Sequence, residues 1–189
     1  MAFDPQKHHR RSIRLPGYDY SKPGAYFITL VTQGRECLFG QVVAGEMQLS
    51  DMGRIADDHW RAIPDHFPNV ELGTFAIMPN HIHGIIVIHP VGASQWDAPT
   101  GPRDQWDGAS QRDGASANGP KRGSIGAIIG AYKMSVTRRV QRELNRTTLW
   151  QRNYYEHIIR DEQEHRRIHL YIEANPANWI RDDHHPLKT

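Results

Sequence analysis

Met78-Pro79-Asn80-His81-Ile82-His83-Gly84-Ile85-Ile86-Val87-Ile88 is the stretch on which the reading of this chain turns. Two histidines flank one bulky apolar residue, and a run of strand formers follows. Side chains of a strand alternate between its faces, so His81 and His83 point one way and Ile82 the other. Two imidazoles on one face of a strand form half a site for a divalent metal. The missing ligands must come from elsewhere in the chain.

Working outward, Pro79-Asn80 reads as a turn, with a strand over Val70–Met78 before it and the histidine strand over 81–89 after it. Ala25–Thr32 is rich in β-branched and aromatic residues and predicts another strand. A hairpin is expected from Leu38-Phe39-Gly40 to Met47-Gln48-Leu49. Ser50 or Asp51 caps a helix that carries Met52, Ile55, His59 and Ile63 on one face and ends at Pro64. After residue 124, Ile125, Ile128, Ile129, Tyr132, Val136 and Val140 recur at helical spacing, with Lys133, Arg138, Arg139 and Arg142 on other faces. Trp150–Ile159 reads as a strand. A last helix runs from Asp161 to Ala174 and stops at Asn175-Pro176. Strands and helices so interleaved predict an α+β fold, a ferredoxin-like antiparallel sheet with helices packed on it.

The 189 residues suit one domain with a real core. The expected organisation is a basic N-terminal arm over 1–20, a single domain over 21–180 and a tail over 181–189. Residues 91–120 interrupt the domain. There Gly92-Ala93-Ser94-Gln95 recurs as Gly108-Ala109-Ser110-Gln111, and Gln95-Trp96-Asp97 as Gln105-Trp106-Asp107. This composition reads as a disordered, low-complexity insert. The single cysteine, Cys37, excludes an internal disulfide and is compatible with a reducing cytoplasm. No apolar run approaches the ~20 residues that cross a bilayer, and the N-terminus lacks a secretory signal. Net charge is only +2, but residues 121–160 carry +7 and the remainder −5. Such asymmetry favours an anionic partner, nucleic acid being the common one.

Ile168, Tyr171, Ile172 and Asn175 fall at i, i+3, i+4 and i+7, so they share the face of the last helix that packs toward the sheet. A tyrosine and an asparagine on that face are either a core hydroxyl with a helix cap, or a nucleophile one turn from an oxygen ligand. A tyrosine of ordinary pKa, about 10, needs a cation or base nearby to attack at neutral pH. An ion held by His81 and His83 answers part of that need. Imidazole with oxygen ligands favours Mg²⁺ or Mn²⁺ over Zn²⁺.

The motif around His81 and His83, the basic helix, the block Leu149-Trp150-Gln151-Arg152-Asn153-Tyr154-Tyr155-Glu156-His157-Ile158-Ile159-Arg160 and the segment Tyr171-Ile172-Glu173-Ala174-Asn175-Pro176 occur in an order that resembles the single-tyrosine HUH transposases. The branch it looks most like is the REP-associated tyrosine transposases, relatives of insertion-sequence transposases. The resemblance covers about residues 18–90 and 124–180. It implies a metal-dependent transposase or endonuclease that nicks and rejoins single-stranded DNA near hairpins through a 5′-phosphotyrosine. Tyr171 would be the nucleophile, and His81, His83 and Asn175 the metal ligands. Arg10, Arg11 and Arg14 of the arm, with Lys133, Arg138, Arg139, Arg142, Arg152 and Arg160, are the candidate DNA contacts. The partner expected is single-stranded DNA with hairpin or palindromic ends, met as a monomer or homodimer in the cytoplasm or nucleoid. Two alternatives stand beside it: a domesticated hairpin-binding protein without chemistry, and a phosphoesterase that uses water in place of Tyr171. The insert at 91–120 is longer than the connection expected of such proteins.

Overall fold

The computed structural model describes residues 18–90 and 120–188. The expected arm with Arg10, Arg11 and Arg14 lies outside the described residues, apart from residues 18–20, and so does nearly all of the insert. Strand β1 (Gly24–Val31) is followed by a small hairpin of β2 (Gly40–Val43) and β3 (Glu46–Leu49), which forms its own two-stranded sheet. Helices α1 (Asp51–Arg61) and α2 (Ile63–His66) come next, then β4 (Val70–Ile77) and β5 (His81–Ile88). Helix α3 (Ile125–Leu144), β6 (Tyr155–Ile159) and α4 (Glu162–Ala174) complete the domain. The main sheet has the order β4-β5-β1-β6, and every neighbouring pair is antiparallel. This is the α+β, ferredoxin-like arrangement the sequence predicts. Among the described residues, no helix is long and apolar enough to cross a membrane.

Strand periodicity sorts the sheet into two faces. Tyr26, Ile28 and Leu30 of β1 lie on the same side as Ile82, Ile86 and Ile88 of β5, and all are buried. Helices α1 and α3 cover that side with Ile55, Trp60, Ile128, Ile129, Tyr132 and Val136. The Tyr132 hydroxyl donates to the Ala56 carbonyl at 3.0 Å and locks the two helices together. His81, His83 and Phe27 point to the other side, toward α4.

Gly84, which follows the histidine pair, belongs to the helix side. A Cβ there would sit 2.3 Å from Cζ2 of Trp60 and 3.1 Å from Cβ of Phe75. The missing side chain is what lets the fully buried indole pack directly against β5. Gly84→Ala is expected to cost about 2–3 kcal/mol through overpacking. That lowers the melting temperature by roughly 5 °C or more. Adding Trp60→Leu should remove most of this penalty in a thermal-melt cycle; independent, additive effects would disprove the contact's role.

Two sequence expectations need correction. The first helix is capped by Ser50, whose Oγ accepts from the Gly53 amide at 3.1 Å, but it ends at Arg61 rather than at Pro64. Pro64 sits in the first turn of α2, where its missing N–H costs nothing. The strand expected over Trp150–Ile159 begins only at Tyr155. Trp150 makes a single bridge to Thr32, and the chain then turns through Asn153 with φ of 83°. The Lys133 ammonium holds that turn by donating to the carbonyls of Gln151 at 2.7 Å and Asn153 at 3.2 Å.

Candidate metal centre and tyrosine

The turn before β5 is pinned to its surroundings by backbone bonds. The Thr32 amide donates to the Asn80 carbonyl and the Phe39 amide to the Pro79 carbonyl, both at 2.9 Å. Strand β5 therefore enters the sheet with His81 opposite Val31 and His83 opposite Thr29. The imidazoles lie side by side with ring centres 4.5 Å apart, and they are 0% and 3% exposed. His83 stacks on Phe27 at 5.4 Å. Its Nδ1 is 2.9 Å from the Thr29 hydroxyl, and its Nε2 is 3.2 Å from the Tyr171 hydroxyl.

Helix α4 delivers that tyrosine. Asp161 caps the helix by accepting from the Glu164 amide at 2.7 Å, and Asn175 closes it. Only one face is near the sheet: Ile172 and Asn175 are buried, while Tyr171 is 47% exposed, with its ring edge-on to Phe27 at 6.2 Å. Tyr171 is thus a rim residue whose hydroxyl reaches inward, rather than a core tyrosine.

After α4 a 3₁₀ turn over Trp179–Arg181 brings Asp182 back to the histidines. Asp182 Oδ2 accepts from the Asn175 side-chain Nδ2 at 3.1 Å and lies 3.8 Å from His81 Nε2. His81, His83 and Asp182 each offer a donor atom, all within 4.8 Å of one another. The His184 ring lies 4.7 Å from that of His81, and the His184 amide donates to Asp182 Oδ1 at 2.6 Å.

A divalent ion fits this set. His81 Nε2 and Asn175 Oδ1 are buried and have no hydrogen-bond partner. Leaving two such atoms dry costs about 1–3 kcal/mol each, which an ion would recover. Burial, with His184 second, pushes the His81 imidazole down to about 3. Burial and the neighbouring His81 hold His83 well below the ordinary histidine value. Both rings are therefore neutral at pH 7, the form that ligates. Burial, and then the Asp182 carboxylate, raise the Tyr171 phenol above its usual value, so it is protonated at neutral pH. In the Nδ1–H tautomer the His83 Nε2 lone pair can accept the Tyr171 proton or face an ion, but not both at once.

Of the expected site residues, the structure brings together His81, His83, Tyr171 and Asn175. It does not bring the basic residues to them. Helix α3 covers the opposite face of the sheet, so DNA contacts from Arg138, Arg139 or Arg142 would be made away from Tyr171. Arg139 pairs with Asp58 and Glu143, and Arg142 with Glu143. Lys133 is already spent on the Gln151 and Asn153 carbonyls. Arg152 and Arg160 are exposed, and Arg160 lies about 16 Å along β6 from Tyr155. Sequence reasoning missed Asp182. The run Asp182-Asp183-His184-His185 was the available signal, but it sat in what read as a tail.

No family model matches the chain. An uncharacterized protein of Haemophilus influenzae (strain ATCC 51907 / DSM 11121 / KW20 / Rd) is 42% identical over 178 residues, which span 93% of this chain and 92% of that one. Among solved structures, a REP-associated tyrosine transposase bound to a REP hairpin superposes with a TM-score of 0.54 at 18% identity. The match covers 88% of this chain and 74% of that one, and it establishes a shared fold.

Proposed function

We propose, from the premise that this chain belongs to the family of the Haemophilus influenzae protein and has the fold of the REP-associated tyrosine transposase, that it is a transposase-type endonuclease acting on hairpin-bearing single-stranded DNA. The observation that carries the reading is the Tyr171 hydroxyl 3.2 Å from Nε2 of a buried histidine pair that has an unsatisfied nitrogen beside it. A structural tyrosine has no need of such neighbours.

The chemistry assigns each residue a task. Tyr171 Oη attacks the scissile phosphorus, forming a tyrosyl–phosphate ester at the 5′ side, and the P–O3′ bond breaks to leave a 3′-hydroxyl. The phenolic proton passes to solvent, which a half-exposed side chain reaches, and a proton returns to the departing 3′-oxygen. His81, His83 and the oxygens of Asn175 and Asp182 would hold a divalent ion, which would supply polarisation of the phosphate. Thr29 fixes the His83 ring through Nδ1, and Phe27 supports its face. The phosphotyrosine keeps the energy of the ester, so a second 3′-hydroxyl rejoins DNA without ATP.

Tyr155 extends the site. It is 40% exposed and packs edge-on against Phe27 at 6.2 Å, on the same face as Tyr171. This offers a base next to the scissile phosphate an aromatic ring to stack on. Stacking of that kind contributes about 1–3 kcal/mol per base. Tyr155→Ala should therefore weaken single-stranded DNA binding about tenfold, read by fluorescence anisotropy, while hairpin stems alone bind as before.

The test of the function uses oligonucleotides copied from both strands flanking the gene, incubated with Mn²⁺ or Mg²⁺. A denaturation-resistant adduct that maps to Tyr171 and disappears with EDTA is expected. Hairpin binding without any adduct would leave a binding protein in place of an enzyme. Free cleaved product without an adduct would indicate a water-using phosphoesterase.

A further inference from the structure

We infer that Asn80 is a positioning residue: its side-chain amide fixes the ring tautomer of His81, so that Nε2 presents a lone pair to the site. The argument is one of donors and acceptors. Asn80 Nδ2 lies 3.0 Å from the Arg35 carbonyl and 2.8 Å from the His184 carbonyl. Both are acceptors only, so both N–H bonds of the amide are used and its orientation is settled. The reverse orientation would set three oxygens against one another at hydrogen-bond distance with no proton between them.

With Nδ2 committed, Asn80 Oδ1 is the atom 2.9 Å from His81 Nδ1. An amide oxygen only accepts, so Nδ1 carries the proton. His81 Nε2 is buried, has no hydrogen-bond partner, and is 3.8 Å from the nearest carboxylate oxygen. With the single proton of the neutral ring on Nδ1, Nε2 is left with its lone pair, beside the Asn175 side chain. The ring is therefore the Nδ1–H form, with its Nε2 lone pair directed at the cluster of His83 and Asp182. Outer contacts of this kind orient a metal-binding imidazole and typically change ion affinity 10–100-fold when removed.

The same amide does a second task. Its bond to the His184 carbonyl ties the segment after α4 to the start of β5, two residues from Asp182. One side chain thus sets the protonation pattern of His81 and restrains the strand of chain that carries the neighbouring carboxylate. Aspartate at this position separates the two tasks. A carboxylate still accepts from Nδ1–H, but it cannot donate to either carbonyl.

The inference rests on the metal-centre part of the proposed function, and its test is read in ring protonation and ion affinity, not in DNA cleavage. In long-range ¹H–¹⁵N spectra of the full chain, His81 of the wild type should show a protonated Nδ1 and an unprotonated Nε2. Asn80→Ala should shift His81 toward the Nε2–H form and weaken Mn²⁺ binding, followed by electron paramagnetic resonance, by about tenfold or more. Asn80→Asp should keep the Nδ1–H form. A protonated Nε2 in the wild type overturns the inference without recourse to any variant. So does an Asn80→Ala protein whose His81 spectrum and Mn²⁺ affinity match the wild type. Failure of the wild type to bind Mn²⁺ while Nε2 is shown to be unprotonated would remove the metal reading instead, and leave the Asn80–His81 assignment standing.

Discussion

Replacement of Tyr171 by phenylalanine is expected to abolish the covalent DNA adduct, by at least 10³-fold in the rate of cleavage, because the attacking oxygen is the only atom removed. DNA binding should change by less than about twofold, since the ring and its edge-on contact with Phe27 remain. The same variant makes a second, less obvious prediction. In the structure the Tyr171 hydroxyl sits on His83 Nε2 at 3.2 Å, so it occupies the nitrogen that an ion needs. Removing that hydrogen bond, of about 0.5–1.5 kcal/mol, should tighten Mn²⁺ binding by about 2- to 10-fold. Loss of cleavage together with stronger ion binding is a combination that general damage to the site does not produce. If the variant cuts at the wild-type rate, Tyr171 is not the nucleophile. If it binds Mn²⁺ more weakly than the wild type, the hydroxyl is itself a ligand and the competition described here is wrong.

That pairing of tyrosine and histidine was legible in the sequence because two periodicities converge on it. The period of two put His81 and His83 on one face of a strand. The period of 3.6 put Tyr171 and Asn175 on one face of a helix, and sheet and helix had only that way to meet. What periodicity does not encode is the return of an irregular segment. Asp182 reaches the site because a 3₁₀ turn over Trp179–Arg181 follows α4 and the Asn175 amide catches its carboxylate, and neither step leaves a pattern in composition. Lys133 shows the complementary failure. Its helical position places it off the core face, yet a four-carbon stem lets its ammonium reach back to two carbonyls before Tyr155. Spacing gave its face but not its partners, and the same is true of Arg139 and Arg142. Gly84 was visible only as part of a motif; that it makes room for Trp60 depends on a helix earlier in the chain and in a different layer.

Acid should unfold the ion-free protein near pH 4, with its buried histidines adding to the effect of carboxylate protonation. His81 is neutral in the folded chain down to about pH 3, whereas an unfolded histidine takes up a proton near 6.5. The unfolded state therefore binds more protons as pH falls below 6.5, and stability declines with it. The stabilising contribution of the neutral form is fully present above 6.5 and is lost progressively toward pH 3. By pH 4 the gap for His81 alone amounts to about 3 kcal/mol, at 1.36 kcal/mol per pH unit. His59, buried on the inner face of α1 and near Arg139, is pushed down to about 4 and acts in the same direction, as does His83. Against a total stability of about 5–15 kcal/mol, these sites are enough to melt the domain near pH 4 at ambient temperature. Mn²⁺ should move that transition to lower pH, because an ion that binds only the folded, deprotonated pair adds its binding free energy to the native state. Thermal melts from pH 7.5 to 4 with and without Mn²⁺ test both statements. The pH dependence should flatten in a His81→Asn variant, and the effect of Mn²⁺ should disappear with it. A melting temperature that stays constant from pH 7 to 4.5 without the ion would mean that the histidines titrate normally in the folded chain, and the buried, neutral pair on which the metal centre depends would have to be given up.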